Sequence, residues 1–223
     1  MGAYSQYSRM FRNGIIAKAI ELQYSADNIC ILEGDMRKLE REHRQTYDNL
    51  MSCTHNRDNR LPIEYARDLV ASWIFEDSLV QKLQEGGLQI NLSGADRNRQ
   101  LLATSRVSAS SDCQISYNGV SRHAEIMSDY TGYWERTGRM ELRDEKYLEL
   151  VREKAIFIGI CTIGASWKYI LIDFAKPVAA TYIPSHRPYG GKPAYSLRIE
   201  RTALMNFMMP PLIEHLKSMI SSS

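Results

Sequence analysis

The chain of 223 residues has no apolar run approaching the roughly 18–20 residues that a membrane span requires, and its first residues lack the apolar core of a signal peptide. It begins Met-Gly, yet Gln6 stands where N-myristoylation wants Ser or Thr. These absences lead to the expectation of a cytoplasmic protein with no membrane partner. Cysteine is sparse: Cys30, Cys53, Cys113 and Cys161 lie far apart and form no C-x-x-C pair. A zinc site or disulfide framework is disfavoured, and reduced thiols are expected. An excess of one charge is also lacking, since 28 Lys and Arg face 26 Asp and Glu for a net charge of +2. Any surface for a polyanion must therefore come from local clustering. Internal repeats and low-complexity linkers are absent too, so one domain is the simplest organisation.

What is present is an ordinary globular composition, 44% hydrophobic and 24% charged, in a length sufficient for one sizeable α/β domain. Residues 1–24 have helical spacing, with Met10, Ile15, Ala19 and Leu22 on one face, and Asp27-Asn28 mark a break. The segment EGDMRKLEREHRQTYDNLM repeats Met36, Leu39, His43, Tyr47 and Leu50 at helical intervals between charges of both signs. It is either a solvated amphipathic helix or one that packs on a second subunit or on DNA phosphates. A polar loop carrying His55, Arg57 and Arg60 closes at Pro62. A long helix follows, with Ile63, Ala66, Val70, Trp73 and Ile74 on its buried face and Gly86-Gly87 at its end. Glu76 and Asp77 interrupt that face.

The alternation of Leu88, Ile90 and Leu92 predicts a half-buried strand. Two further strands, Val107 to Ile115 and His123 to Met127, flank Tyr117-Asn118-Gly119, the Asn-Gly signal of a tight hairpin. A helix is expected over Glu141 to Glu153, with Met140, Tyr147, Leu148 and Val151 on one side. The runs AIFIGICTI and WKYILIDF read as buried strands. TYIPSHRPYGGKPAYSLRI is a long loop or a short irregular hairpin, and ALMNFMMPPLIEHLKSMI a helix interrupted by Pro210-Pro211.

Chemistry concentrates in Arg106–Phe174. Asp112 and Glu125 fall on the two strands of the hairpin, and adjacent strands run about 4.8 Å apart. Two facing carboxylates can share one cation, and an all-oxygen site with one or two carboxylates suits Mg²⁺. The alternatives are a turn or cap role for Asp112 and, for Glu125, an exposed strand residue paired with His123 or Arg122. Asp129 is a spare candidate, either for metal or base contact or as a cap at the strand end. Tyr130, Tyr133 and Trp134 are expected to pack the core before they contact a base, and His215 to be a satisfied surface histidine.

SSDC with Asp112, AEIM with Glu125, and the order helix, strand, hairpin, helix, strand, strand resemble the PD-(D/E)XK nuclease superfamily, which includes many type II restriction endonucleases. The resemblance covers roughly residues 63–174. It implies an α/β fold with a central mixed sheet flanked by helices, a restriction-endonuclease-like core over 63–174, a helical appendage over 1–60, and a recognition loop with a C-terminal helix over 175–223. It implies a Mg²⁺-dependent endonuclease cutting double-stranded DNA at a short specific sequence, usually as a homodimer and without a small-molecule cofactor. Asp112 and Glu125 are then the metal ligands, and Glu76 an auxiliary acid. Arg97, Arg99, Arg106 and Arg122 flank the hairpin as phosphate contacts, and His186, Arg187 and Lys192 lie on a proline-stiffened loop that enters a groove.

Two positions depart from the pattern. Ser111 replaces a proline, a minor change. Met127 replaces the lysine two residues after the second acid, and a thioether does not orient water as an ammonium does. Either another cation reaches in, Lys168 and Lys192 being candidates, or metal acts alone, or only binding remains. The functional alternatives are a repair or junction-resolving nuclease, a non-catalytic DNA-binding protein of this fold, and an unrelated α/β protein with two incidental acids.

Overall fold

The computed structural model describes residues 2–53, 60–94, 97–101, 110–162 and 167–222. The chain divides into two compact units, residues 1–81 with 98–107 and residues 82–97 with 108–223. The helical N-terminal part thus runs past the expected boundary near residue 60 and ends within a helix.

The first unit is helical. It contains α1 (Ala3–Met10), α2 (Ile15–Glu21), α3 (Ala26–Glu33), α4 (Met36–Glu42), α5 (Arg44–Ser52) and most of α6 (Pro62–Glu85). The single helix expected over 1–24 is two, broken where Gly14 takes φ +85°. Asp27-Asn28 is not a break but the first turn of α3, with Asn28 buried. The charged segment is likewise two helices, because His43 leaves helical geometry at φ −133°, ψ 52°. Leu39 and Leu50 are fully buried as its spacing predicts, and Tyr7 stacks on Phe75 with ring centroids 4.8 Å apart. Of the polar loop after α5, His55 and Arg57 lie outside the described residues.

The second unit is mixed α/β. Its main sheet has the order β1-β2-β3-β5-β6-β9, from β1 (Gln89–Leu92), β2 (Cys113–Tyr117), β3 (Val120–Asp129), β5 (Ile156–Cys161), β6 (Lys168–Asp173) and β9 (Met205–Asn206). The pairs β1/β2, β2/β3, β5/β6 and β6/β9 are antiparallel, and β3/β5 is parallel. The β2–β3 turn is Asn118-Gly119, at φ +50° and +81°, as a two-residue turn with both central residues left-handed requires. A parallel neighbour demands a crossover, and residues 130–155 supply it with α7 (Tyr133–Thr137), β4 (Arg139–Arg143) and α8 (Asp144–Arg152). Every residue of β5 is buried, as in a central strand covered on both faces.

A second, antiparallel sheet has the order β4-β8-β7, with β7 (Ala180–His186) and β8 (Lys192–Arg198). The glycine- and proline-rich tract is therefore an irregular hairpin, bulged between Ile183 and His186. Met140 and Leu142 of β4, Leu150 of α8, Leu197 of β8, and Trp134, Phe157 and Ile170 form one buried cluster between the two sheets. Gly159 permits this packing, because a Cβ there would stand 2.8 Å from Trp134. The helix expected over the C-terminal segment starts only at Met209, preceded by β9. Pro210 and Pro211 occupy the first turn of α9 (Met209–Ser221), where the missing N–H groups cost nothing. Its Leu212, Leu216 and Ile220 are buried, and His215 Nδ1 stands 2.8 Å from the Tyr169 hydroxyl. No helix among the described residues is long and apolar enough to cross a membrane. All four cysteines are buried thiols outside any disulfide.

Candidate active site

The β2/β3 register pairs Cys113 with Ala124, so one residue further back it sets Asp112 opposite Glu125. Asp112 precedes the first strand instead of lying within it, and its Oδ2 accepts the Ile126 N–H at 3.0 Å. This bond fixes its carboxylate against β3 beside the second acid. Glu125 is only 4% exposed, so the exposed-residue alternative does not hold. Its carboxyl is pushed up to about 8 by burial and by the adjacent Asp112 charge, with Lys146 pulling the other way.

Lys146 is the residue that sequence reasoning missed. It lies in the first turn of α8, and its Nζ stands 2.7 and 2.8 Å from the two Glu125 oxygens and 3.1 Å from the Ser110 carbonyl. A cation in a helix's first turn faces the positive end of the macrodipole, and the Glu125 carboxylate offsets that. A second tie links the same elements. Glu153, just past α8, accepts from the Ser111 hydroxyl and from the Ser111 N–H, the latter at 3.3 Å. Ser111 at the proline position thus supplies a donor that proline lacks. Lys146, Leu150 and Glu153 recur at i, i+4 and i+7, one face of a helix. That face is turned to the hairpin, whereas Leu148 and Val151 are 53% and 43% exposed. Assigning those two to the buried side turned Lys146 away, and this is why it went unseen. Met140 and Glu141, also expected in this helix, belong to β4.

Met127 shares the strand face of Glu125 and packs against the apolar cluster between the sheets. The cations proposed in its stead are engaged elsewhere: Lys168 is paired with Glu135, and Lys192 starts β8 in the second sheet. Asp129 is a cap, its oxygens accepting from the Thr131 N–H and hydroxyl and from the Trp134 N–H at 2.7–3.0 Å. Trp134 is core, and the Tyr133 hydroxyl donates to Glu141 at 2.8 Å.

Glu76 lies in the helical unit, where Arg99 binds it at 3.0 Å and binds Asp77 at 2.5 Å, with the Tyr24 hydroxyl donating to Asp77 at 2.5 Å. Arg99 is thereby committed to carboxylates of its own unit. Arg122 is committed likewise, 8% exposed, with bonds to Asp173 at 2.7 Å and to the Lys154 carbonyl at 2.5 Å. Arg97 is exposed, and Arg106 lies outside the described residues. In the β7–β8 hairpin, Arg187 and Lys192 are exposed. His186 Nε2 stands 3.1 Å from Glu141 Oε2, an ion-pair approach without hydrogen-bond alignment.

Among the described residues no set of three or more His, Cys, Asp or Glu forms a metal cage. The donor set of Asp112 and Glu125 nevertheless fits Mg²⁺, which keeps most of its waters and takes one or two carboxylates. Two carboxylates pressed together in a largely buried setting carry excess negative charge that a dication compensates. Comparison of the sequence with protein-family models finds no match, and comparison with curated protein sequences finds none.

Proposed function

We propose that the chain is a Mg²⁺-dependent endonuclease that hydrolyses phosphodiester bonds of double-stranded DNA at a short specific sequence. The observation that carries this is the juxtaposition of Asp112 and Glu125 across a hairpin, with the Lys146 ammonium on the second acid. Two carboxylates and one cation are what hydrolysis of a phosphodiester needs from a protein: charge to hold a metal, and a donor to steer a water. The lysine position filled by Met127 is then served by α8. Support from the fold is the order of α6, the meander β1–β2–β3, α8 and the parallel strand β5, which matches the order that the resemblance to restriction-type nucleases implies.

In this reading Asp112 and Glu125 would hold the metal through their carboxylate oxygens. Mg²⁺, when bound, neutralises charge on the scissile phosphate and lowers the pKa of the attacking water. Glu125 must be ionised to serve, and Lys146 favours that form against burial and the neighbouring Asp112 charge. Lys146 also donates to the attacking water or to a phosphoryl oxygen, stabilising charge as it develops. The water oxygen bonds to phosphorus and gives up a proton to solvent, the opposite P–O ester bond breaks, and the leaving oxygen takes a proton from solvent to become a hydroxyl. A two-fold duplex site calls for two copies of the chain, so the working form is a homodimer, and the setting is the reducing cytoplasm. Incubation with mixed-sequence duplex DNA and Mg²⁺, followed by sequencing of fragment ends, tests the proposal. It predicts discrete ends sharing one short sequence, and intact DNA contradicts it.

A further inference from the structure

The outer face of the β4-β8-β7 sheet carries a feature that the candidate active site does not use. Met140, Leu142 and Leu197 point from this sheet into the core, so Arg139, Arg143, Ser196 and Arg198 fall on the opposite face. The register sets Arg139 directly opposite Arg198. Cross-strand partners have Cβ atoms about 4.5–5.5 Å apart, and like charges so placed are destabilising. Both side chains are exposed, and neither is ion-paired to a carboxylate among the described residues. Arg99 and Arg122, by contrast, are neutralised internally. Folding alone does not favour an unneutralised arginine pair.

The pair lines an open groove of about 1040 Å³ shared with the exposed Thr181 and Thr202, the half-buried Ser196 and one acid, Glu200. Hydroxyls and guanidinium groups are donors suited to phosphate oxygens, and arginine matches phosphate in a fork. The groove matches the upper end of the roughly 300–1,000 Å³ range of small-ligand pockets but is open to solvent and lined largely by polar groups, which suits a polymer backbone running through it. At the other end of the same sheet Arg143 lies over the Tyr189 ring at 5.5 Å, and the hairpin exposes Arg187 and Lys192. The middle acid, Glu141, faces His186 at 3.1 Å.

We infer that this groove binds the phosphodiester backbone of duplex DNA, with Arg139 and Arg198 each contacting a phosphate. The choice of DNA as the polymer rests on the nuclease reading; the arginine pair does not. The test uses the full chain with a mixed-sequence DNA duplex and Ca²⁺, comparing wild type with the Arg139→Gln/Arg198→Gln double variant across salt concentrations. Each phosphate contact contributes about 0.9 to the slope of log K against log salt, so the double variant lowers the slope by about 1.8 and weakens binding by at least about tenfold. A control losing the same charge elsewhere on the unit, Arg152→Gln/Lys217→Gln, leaves the slope within about 0.5 of wild type. The double variant melts no lower than wild type, since it removes a like-charge pair. Wild type that cuts DNA while the double variant keeps its slope overturns the groove and leaves the nuclease reading intact. Wild type that cuts nothing, with duplex binding lost in the double variant, upholds the groove and overturns the nuclease reading. Weakening confined to an RNA duplex of the same sequence overturns the assignment to DNA.

Discussion

The ammonium of Lys146 stands 2.7 Å from the buried carboxylate of Glu125, although the two residues lie 21 positions apart on different kinds of element. The pair puts a cation beside the two acids by way of a helix instead of the strand. If the ammonium serves catalysis, replacing Lys146 by Met lowers the single-turnover cleavage rate roughly 10²–10³-fold. Met127 lies two residues beyond Glu125 on the same strand face, so the double variant Met127→Lys/Lys146→Met returns part of that loss. Equal rates for Lys146→Met and wild type at saturating DNA contradict the role.

The pH dependence follows from Glu125. Its carboxyl is raised from its ordinary value of about 4.5 to about 8, so between those values the folded chain holds a proton that the unfolded chain releases. Its contribution to stability is full below about pH 4.5 and is lost as pH rises through about 8. In the metal-free protein the melting temperature therefore declines from about pH 5 to 9 more steeply than in Glu125→Gln. Mg²⁺ affinity rises over the same window, because metal competes with the proton. Parallel profiles for the two proteins, read by calorimetry, contradict this placement of the charge.

Arg122 separates structural arginines from DNA-binding ones. Despite burial, which acts in the opposite sense, the Arg122 bond and the Ala175 N–H hold the Asp173 carboxyl below its usual range. Arg122→Ala takes a buried guanidinium away from the partly buried Asp173 carboxylate and the Lys154 carbonyl and costs about 1.5–3 kcal/mol in stability by denaturant unfolding. The slope of DNA affinity against salt stays unchanged. A stable variant with a reduced slope shows a phosphate contact instead.

Much of this was legible in the sequence. The Asn118-Gly119 turn, the buried strand Ile156–Cys161 and the long helix ending at Gly86-Gly87 carry strong local signals, and Asp112 and Glu125 fall on the hairpin those signals build. What was not legible depends on tertiary choice. α8 has apolar residues on two faces, and composition does not say which is buried, so nothing local singles out Lys146. The partners of Arg99 and Arg122 lie 22 or 23 and 51 positions away, beyond the reach of any local pattern. The strand β4 hid inside a helical pattern because Met140 and Leu142 alternate for only five residues before the helix begins.

The central claim is that Asp112 and Glu125 form one metal-dependent hydrolytic site. The most direct measurement is cleavage of duplex DNA carrying the recognition sequence, in Mg²⁺, by wild type, Asp112→Ala and Glu125→Ala, with duplex affinity measured in Ca²⁺ alongside. The account predicts discrete fragments from wild type, none from either variant, and affinities that largely survive. Full cleavage by either variant contradicts it.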